Sequence, residues 1–190
     1  YIFHQAVTYN SLIAGFSEKL YYTLVDMNAN GGLGKVEAKN QILLEGDSMC
    51  SGQLEVVKHG NGRDWWLIQP MSGSNGYHIF LIAGSTITYH HKQYLGTSKI
   101  LGSEIGGQAV FSHQGDKYFR YDYRNDLDIY DFDRCEGLLS NYRKIILPDT
   151  AYIGGIAISP NSQYLYATSS HFVYQFDLQA NNIAASQTIV

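Results

Sequence analysis

Val110-Phe111-Ser112-His113-Gln114-Gly115-Asp116-Lys117-Tyr118-Phe119 returns later in the chain as Ala157-Ile158-Ser159-Pro160-Asn161-Ser162-Gln163-Tyr164-Leu165-Tyr166. Each copy is an apolar pair, a short polar turn and an aromatic strand. Each is followed by a second aromatic strand ending in Phe-Asp: Ile129-Tyr130-Asp131-Phe132-Asp133 and Val173-Tyr174-Gln175-Phe176-Asp177. The offset from Ser112 to Ser159 is 47 residues. A repeat of roughly 40–50 residues built from short strands is the mark of a β-propeller, with one four-stranded blade per repeat.

Working outward, nearly every segment reads as strand, and the connections carry the Gly, Asn, Ser and Asp that tight turns require. The last unit predicts strands at 155–159, 164–169, 172–178 and 183–190, with Pro160-Asn161-Ser162 as a turn. The unit before it predicts strands at 109–112, 118–123, 127–133 and 142–147. A more divergent unit predicts 54–58, 64–70 and 76–83, with an outer segment between 86 and 101. The first unit offers 1–7 and 19–27 as middle strands and 36–44 as the outer one. Its inner strand would lie upstream of residue 1. The expectation is an all-β fragment of about three and three-quarter four-stranded blades, divided near 1–47 (incomplete), 48–104, 105–150 and 151–190. A partial ring leaves sheet faces bare and strand edges unpaired. Further blades are therefore expected on the same polypeptide or from another chain, as in a homo-oligomer. Tyr1, standing where Met is usual, also suggests a piece of something longer.

Composition narrows the function classes. Hydrophobic residues make up 45% of the 190 residues, enough for a core, and the aromatic share of 14%, with 16 Tyr, suits pleated strands. A net charge of −4 supplies no basic face for nucleic acid. No apolar run is long enough for a membrane-spanning helix. Cys50 and Cys135 are too few and too far apart for a disulfide framework or a thiolate metal site, which leaves free thiols or a single bridge.

Several phrases go beyond generic propeller grammar. They are Leu20-Tyr21-Tyr22-Thr23-Leu24-Val25-Asp26-Met27, Asn30-Gly31-Gly32-Leu33-Gly34-Lys35-Val36 and Val57-Lys58-His59-Gly60-Asn61-Gly62-Arg63-Asp64-Trp65-Trp66. Together with Tyr174-Gln175-Phe176-Asp177-Leu178, they resemble the secreted, cell-surface propeller proteins of Bacteroidota, of the WD40-like kind found near gliding-motility and type IX secretion proteins. The resemblance implies a large extracellular or surface-attached protein, and a location more than an activity.

The candidate functional residues each have a plainer structural explanation. His59 and Asp64 could form an oriented general base, but a turn histidine that pins strands beside Trp65 and Trp66 explains them as well. Alternation places Trp65 and Trp66 on opposite faces, so one of them at most could serve a carbohydrate-binding surface. Asp122, Asn125, Asp126, Asp128, Asp131 and Asp133 crowd one hairpin. Their spacing lacks a calcium loop, so they are expected to be solvated charge. Gly31-Gly32-Leu33-Gly34-Lys35 departs from the phosphate-loop pattern at both ends and reads as a turn. His90 and His91, as neighbours on a strand, are expected to face opposite sides and so share no metal; His78 and His113 stand elsewhere. Ser112, Ser159 and Pro160 read as blade-turn residues. Ser48 and Thr150, each after an Asp and before an apolar residue, match an O-glycosylation sequon and are expected in connectors between blades.

No catalytic constellation, metal site or cofactor site stands out. The expectation is therefore a non-catalytic structural or interaction module, serving adhesion or extracellular assembly. Its partners would be other chains, other domains of the same chain, or surface glycans. The alternatives are a propeller enzyme, lyase or glycoside-acting, and a carbohydrate-binding module.

Overall fold

The computed structural model describes residues 1–10, 13–100, 107–122, 124, 126–148 and 154–190. The described residues form four antiparallel sheets that follow one another along the chain. The first is three-stranded: β1 (Ile2–Asn10), β2 (Ile13–Asp26) and β3 (Lys35–Cys50), in that order. The second holds β4 (Glu55–Lys58), β5 (Trp65–Pro70), β6 (Gly76–Ala83) and β7 (Thr86–Tyr94). The third holds β8 (Gln108–Phe111), β9 (Lys117–Asp122), β10 (Asp126–Asp133) and β11 (Leu138–Ile145). The fourth holds β12 (Ile156–Ile158), β13 (Tyr164–Thr168), β14 (Val173–Asp177) and β15 (Thr188–Ile189). Each of the last three sheets is a meander with its first strand at one edge, and those first strands touch in succession, β4 on β8 and β8 on β12. This is the arrangement of a propeller fragment, with β4, β8 and β12 as successive inner strands.

Three elements differ from the sequence expectation. β11 begins at Leu138, earlier than the predicted 142, because Leu138 and Leu139 pair directly across the turn with Asp133 and Phe132. β15 is only two residues long, since a single 3-10 turn at Ala184–Ser186 takes the place of its first half. β3 runs on to Cys50, so Ser48 sits inside a strand rather than in a connector, and its carbonyl accepts a hydrogen bond from the Ser72 amide at 2.9 Å. Thr150 lies outside the described residues.

The middle strands of the second and third sheets are buried on both faces, and alternation divides their side chains between two neighbours. On β5, Leu67 packs toward the first sheet with Leu20, Met49, Phe80 and Ile82. Its neighbours Trp66 and Ile68 pack toward the third sheet with Tyr118, Tyr130 and Phe132. β10 repeats the device. Tyr130 and Phe132 face back to the second sheet, while Leu127 and Ile129 face forward to Leu165, Tyr174 and Phe176 of the fourth. The core is thus three layers between sheets rather than one centre.

The two copies of the repeat close their turns in the same way. The Ser112 amide donates to the Lys117 carbonyl and the Ser159 amide to the Tyr164 carbonyl, at 2.9 and 2.8 Å. The two serine hydroxyls accept in return from the amides of those same partners, Lys117 at 3.1 Å and Tyr164 at 2.8 Å. Gly115 and Ser162 occupy the left-handed position of the turn, at φ 73° and 55°.

Trp66 fastens the second and third sheets. It is 1% exposed, and its indole Nε1 donates to the Arg134 carbonyl at 2.8 Å. Gly137, at φ 70°, lies against the ring so closely that a Cβ there would come within 2.8 Å of it. Glycine is needed for both the backbone angle and the clearance. Trp65 points the other way and is 42% exposed. Trp66→Ala is expected to cost about 3–5 kcal/mol of unfolding free energy, and Trp65→Ala less than about 1 kcal/mol. Urea titrations of the two variants check this contrast.

Candidate functional site

β4 is an inner strand, and alternation turns Glu55 and Val57 toward the third sheet. Glu55 is half-buried, and burial pushes its carboxyl up to about 7 against the hydrogen bond from the Val56 amide. A carboxyl that titrates near neutrality can both take and return a proton. Behind it lies a polar layer between the two sheets. Tyr118, fully buried, feels the charge of both Glu55 and Arg120. Arg120 Nε donates to Gln53 Oε1 at 2.5 Å, and its guanidinium lies 6.0 Å from the Tyr77 ring. The Tyr77 and Tyr130 hydroxyls share a hydrogen bond of 2.7 Å. Burial raises all three phenols, so each is a neutral donor near pH 7.

The charges of this layer balance. Arg120, Asp122 and Asp128 are completely buried, and Lys99 is 5% exposed. Lys99 makes an ion pair with Asp128, whose other oxygen accepts from the Tyr142 hydroxyl at 3.0 Å. Burial pulls the Lys99 ammonium below its usual range, while Asp128 pulls it back up. Asp122 accepts from the Arg124 amide at 3.2 Å. Two cations therefore stand with two carboxylates, and Glu55 adds a third that is partly protonated near neutrality.

This arrangement corrects the reading of the aspartate-rich hairpin. Asp128 is the buried partner of Lys99 and Asp122 is buried with the Arg124 amide on one oxygen, so neither is solvated charge. Asp131 lies on the opposite face, partly exposed, with Lys117 at 3.0 Å and Arg143 at 2.6 Å. Asn125 lies outside the described residues.

His59 and Asp64 occupy the other end of the blade from Glu55, in the turn between β4 and β5. They do not bond directly through their side chains but share Asn61. Its amide donates to His59 Nδ1 at 3.0 Å, and its side chain donates to Asp64 at 2.8 Å. The hydrogen bonds from Arg63, and then from Asn61, hold the Asp64 carboxyl below the usual range. His59 stacks on Trp66 at 5.1 Å. Cys50 is buried and Cys135 exposed, and no disulfide joins them. Among the described residues no three His, Cys, Asp or Glu side chains converge on a metal position, and no helix is long and apolar enough to cross a membrane.

Two further groups were hidden in the sequence. His90 and His91 lie on the same side, not opposite sides, because β7 carries a bulge: Ile79 pairs with His91 and Phe80 with Tyr89, leaving His90 extra. Their Nδ1 atoms are 2.7 Å apart. His78, 1% exposed, joins the first and second sheets. Its Nε2 is 3.2 Å from Asp47 Oδ2, and its Nδ1 is 3.3 Å from the Tyr89 hydroxyl. Lys92 donates to the same Asp47 oxygen at 2.7 Å.

No family model matches the chain. No curated protein matches it. Solved structures do. A protein from Bacteroides fragilis described as a candidate 6-phosphogluconolactonase is 12% identical, with a TM-score of 0.59 over 98% of this chain and 52% of that one. The periplasmic gluconolactonase of Pseudomonas aeruginosa is 13% identical, with a TM-score of 0.56 over 98% and 52%. A candidate 6-phosphogluconolactonase from Bacteroides uniformis is 13% identical, with a TM-score of 0.56 over 97% and 52%. The chain spans about half the length of these structures. At such identity the likeness establishes the propeller fold. It also overturns the expectation of a non-catalytic module, because the propellers that this chain resembles carry enzyme names.

Two outcomes test the site's electrostatics. Asp128→Ala strands the Lys99 ammonium and is expected to destabilise by about 3–5 kcal/mol, most of which a Lys99→Met, Asp128→Leu double variant restores; equilibrium unfolding of the three variants decides. His78 is held neutral, down to about 4 from its ordinary 6.5, by burial first and then by Lys92. Its contribution to stability is whole above 6.5 and is lost as the pH falls toward 4. His78→Gln should flatten that stretch of the stability–pH curve.

Proposed function

We propose that this chain forms part of a propeller enzyme that hydrolyses a sugar-acid lactone, with Glu55 as general base. One observation carries the reading: a half-buried carboxyl titrating near 7 on an inner strand, backed by buried phenols and a guanidinium. The gluconolactonase names of the structural neighbours supply the reaction class. Glu55 removes a proton from water as its oxygen attacks the lactone carbonyl carbon. The charge that develops on the carbonyl oxygen falls within the field of Arg120. As the ring C–O bond breaks, protonated Glu55 returns the proton to the departing alkoxide, leaving an open hydroxy acid. General-base assistance of this kind is worth about 10²–10⁴-fold.

The balance of charge favours an unphosphorylated lactone. Lys99 is paired with Asp128, and Arg120 shares the buried layer with Asp122 and with Glu55, which adds negative character, so among the described residues the cations of this layer do not outnumber its carboxylates as binding of a phosphate dianion would favour. The resemblance to secreted Bacteroidota propellers, together with the periplasmic name of one neighbour, supports an extracytoplasmic setting. The remaining blades would come from the rest of a longer polypeptide or from a second chain.

The test is lactone ring opening by the protein that carries this chain, with δ-gluconolactone and its 6-phosphate as substrates. Expected are hydrolysis of the unphosphorylated lactone, a pH–rate profile rising through about 7, and a loss of about 100-fold or more in kcat for Glu55→Gln. Hydrolysis of neither lactone, or an undiminished Glu55→Gln variant, overturns the proposal. Preference for the phosphorylated lactone overturns only the substrate assignment.

A further inference from the structure

The bulge in β7 produces a geometry that a regular strand forbids. Successive side chains on a strand diverge, but an extra residue brings neighbours to one side. His90 is that extra residue, and its ring stands at 70° to that of His91, with centroids 5.0 Å apart. His90 is exposed and His91 half-buried, so the pair opens to solvent on one side. The neutral ring is the form that binds metal.

The spacing selects among metals. With metal–nitrogen bonds of about 2.0 Å, two ligands of a tetrahedron stand about 3.3 Å apart, and two cis ligands of a square plane about 2.8 Å. The observed Nδ1–Nδ1 distance is 2.7 Å. We propose that His90 and His91 form a cis-chelating site for a square-planar divalent metal, copper(II) by preference, with solvent filling the remaining positions. In the metal-free chain the same distance holds an Nδ1–H···Nδ1 hydrogen bond. When metal binds, the shared proton leaves Nδ1 and the ring takes one at Nε2 through water, so that both Nδ1 lone pairs face the ion with no net release of protons. Trp66 lies 5.1 Å from the His90 ring and would report occupancy. The site shares no residue with the Glu55 layer.

Titration with copper(II) alone, using the protein that carries this chain, tests the proposal. Expected are one tight equivalent, an axial electron-spin-resonance spectrum with couplings to two imidazole nitrogens, and quenching of indole fluorescence. His90→Ala and His91→Ala should each weaken binding at least ten-fold, His59→Ala should leave it unchanged, and zinc(II), which prefers a tetrahedron, should bind at least ten-fold more weakly than copper(II). His90 is exposed, so its replacement tests the site without endangering the fold. Copper uptake equal in wild type and the His90→Ala, His91→Ala double variant overturns the site. Zinc binding as tight as copper overturns the square-planar assignment.

Discussion

Packing between blades is the interaction on which the structure depends. A middle strand such as β5 or β10 belongs to two cores at once, because alternate side chains serve alternate neighbours. No single sheet here buries an interior of its own. Leu67 needs Leu20 and Met49 from one side, and Trp66 needs Gly137 and the tyrosines from the other. The middle strands of the second and third sheets are therefore buried on both faces, and the turns between them are polar and tight.

The same packing explains the polar layer. Charged groups between two sheets cannot reach water, so they persist only where they satisfy one another. Arg120 with Gln53, and Lys99 with Asp128, tie the third sheet to the segments flanking the second, beside the apolar contacts that Tyr118 and Tyr130 make between the two sheets. Glu55, on β4, borders this layer and is half-buried, enough for its acidity to change.

The recurrence around Ser112 and Ser159 made the blades legible, because turn chemistry and strand alternation are local properties. β6 falls on its predicted bounds, and every other predicted strand from 54 onward has a counterpart within a few residues, with β11 and β15 the most displaced. The site was largely illegible. Asp122 and Asp128 read as hairpin charge, since nothing local distinguishes a solvated carboxylate from one paired across a blade junction. The available hint was Arg120 and Asp122 alternating with aromatics inside an otherwise apolar strand. Lys99, in a connector, gave no hint at all. The His90–His91 arrangement depends on a bulge set by the register between β6 and β7, which residue types alone do not reveal.

Native-state hydrogen exchange on the protein that carries this chain tests interdependence of the blades most directly. If each blade is held by its neighbours, the amides of Leu67, Phe119, Ile129 and Leu165, in three different sheets, open together at one free energy equal to that of global unfolding. Separate opening energies for the three sheets would contradict the account, since each blade would then possess a sufficient core of its own.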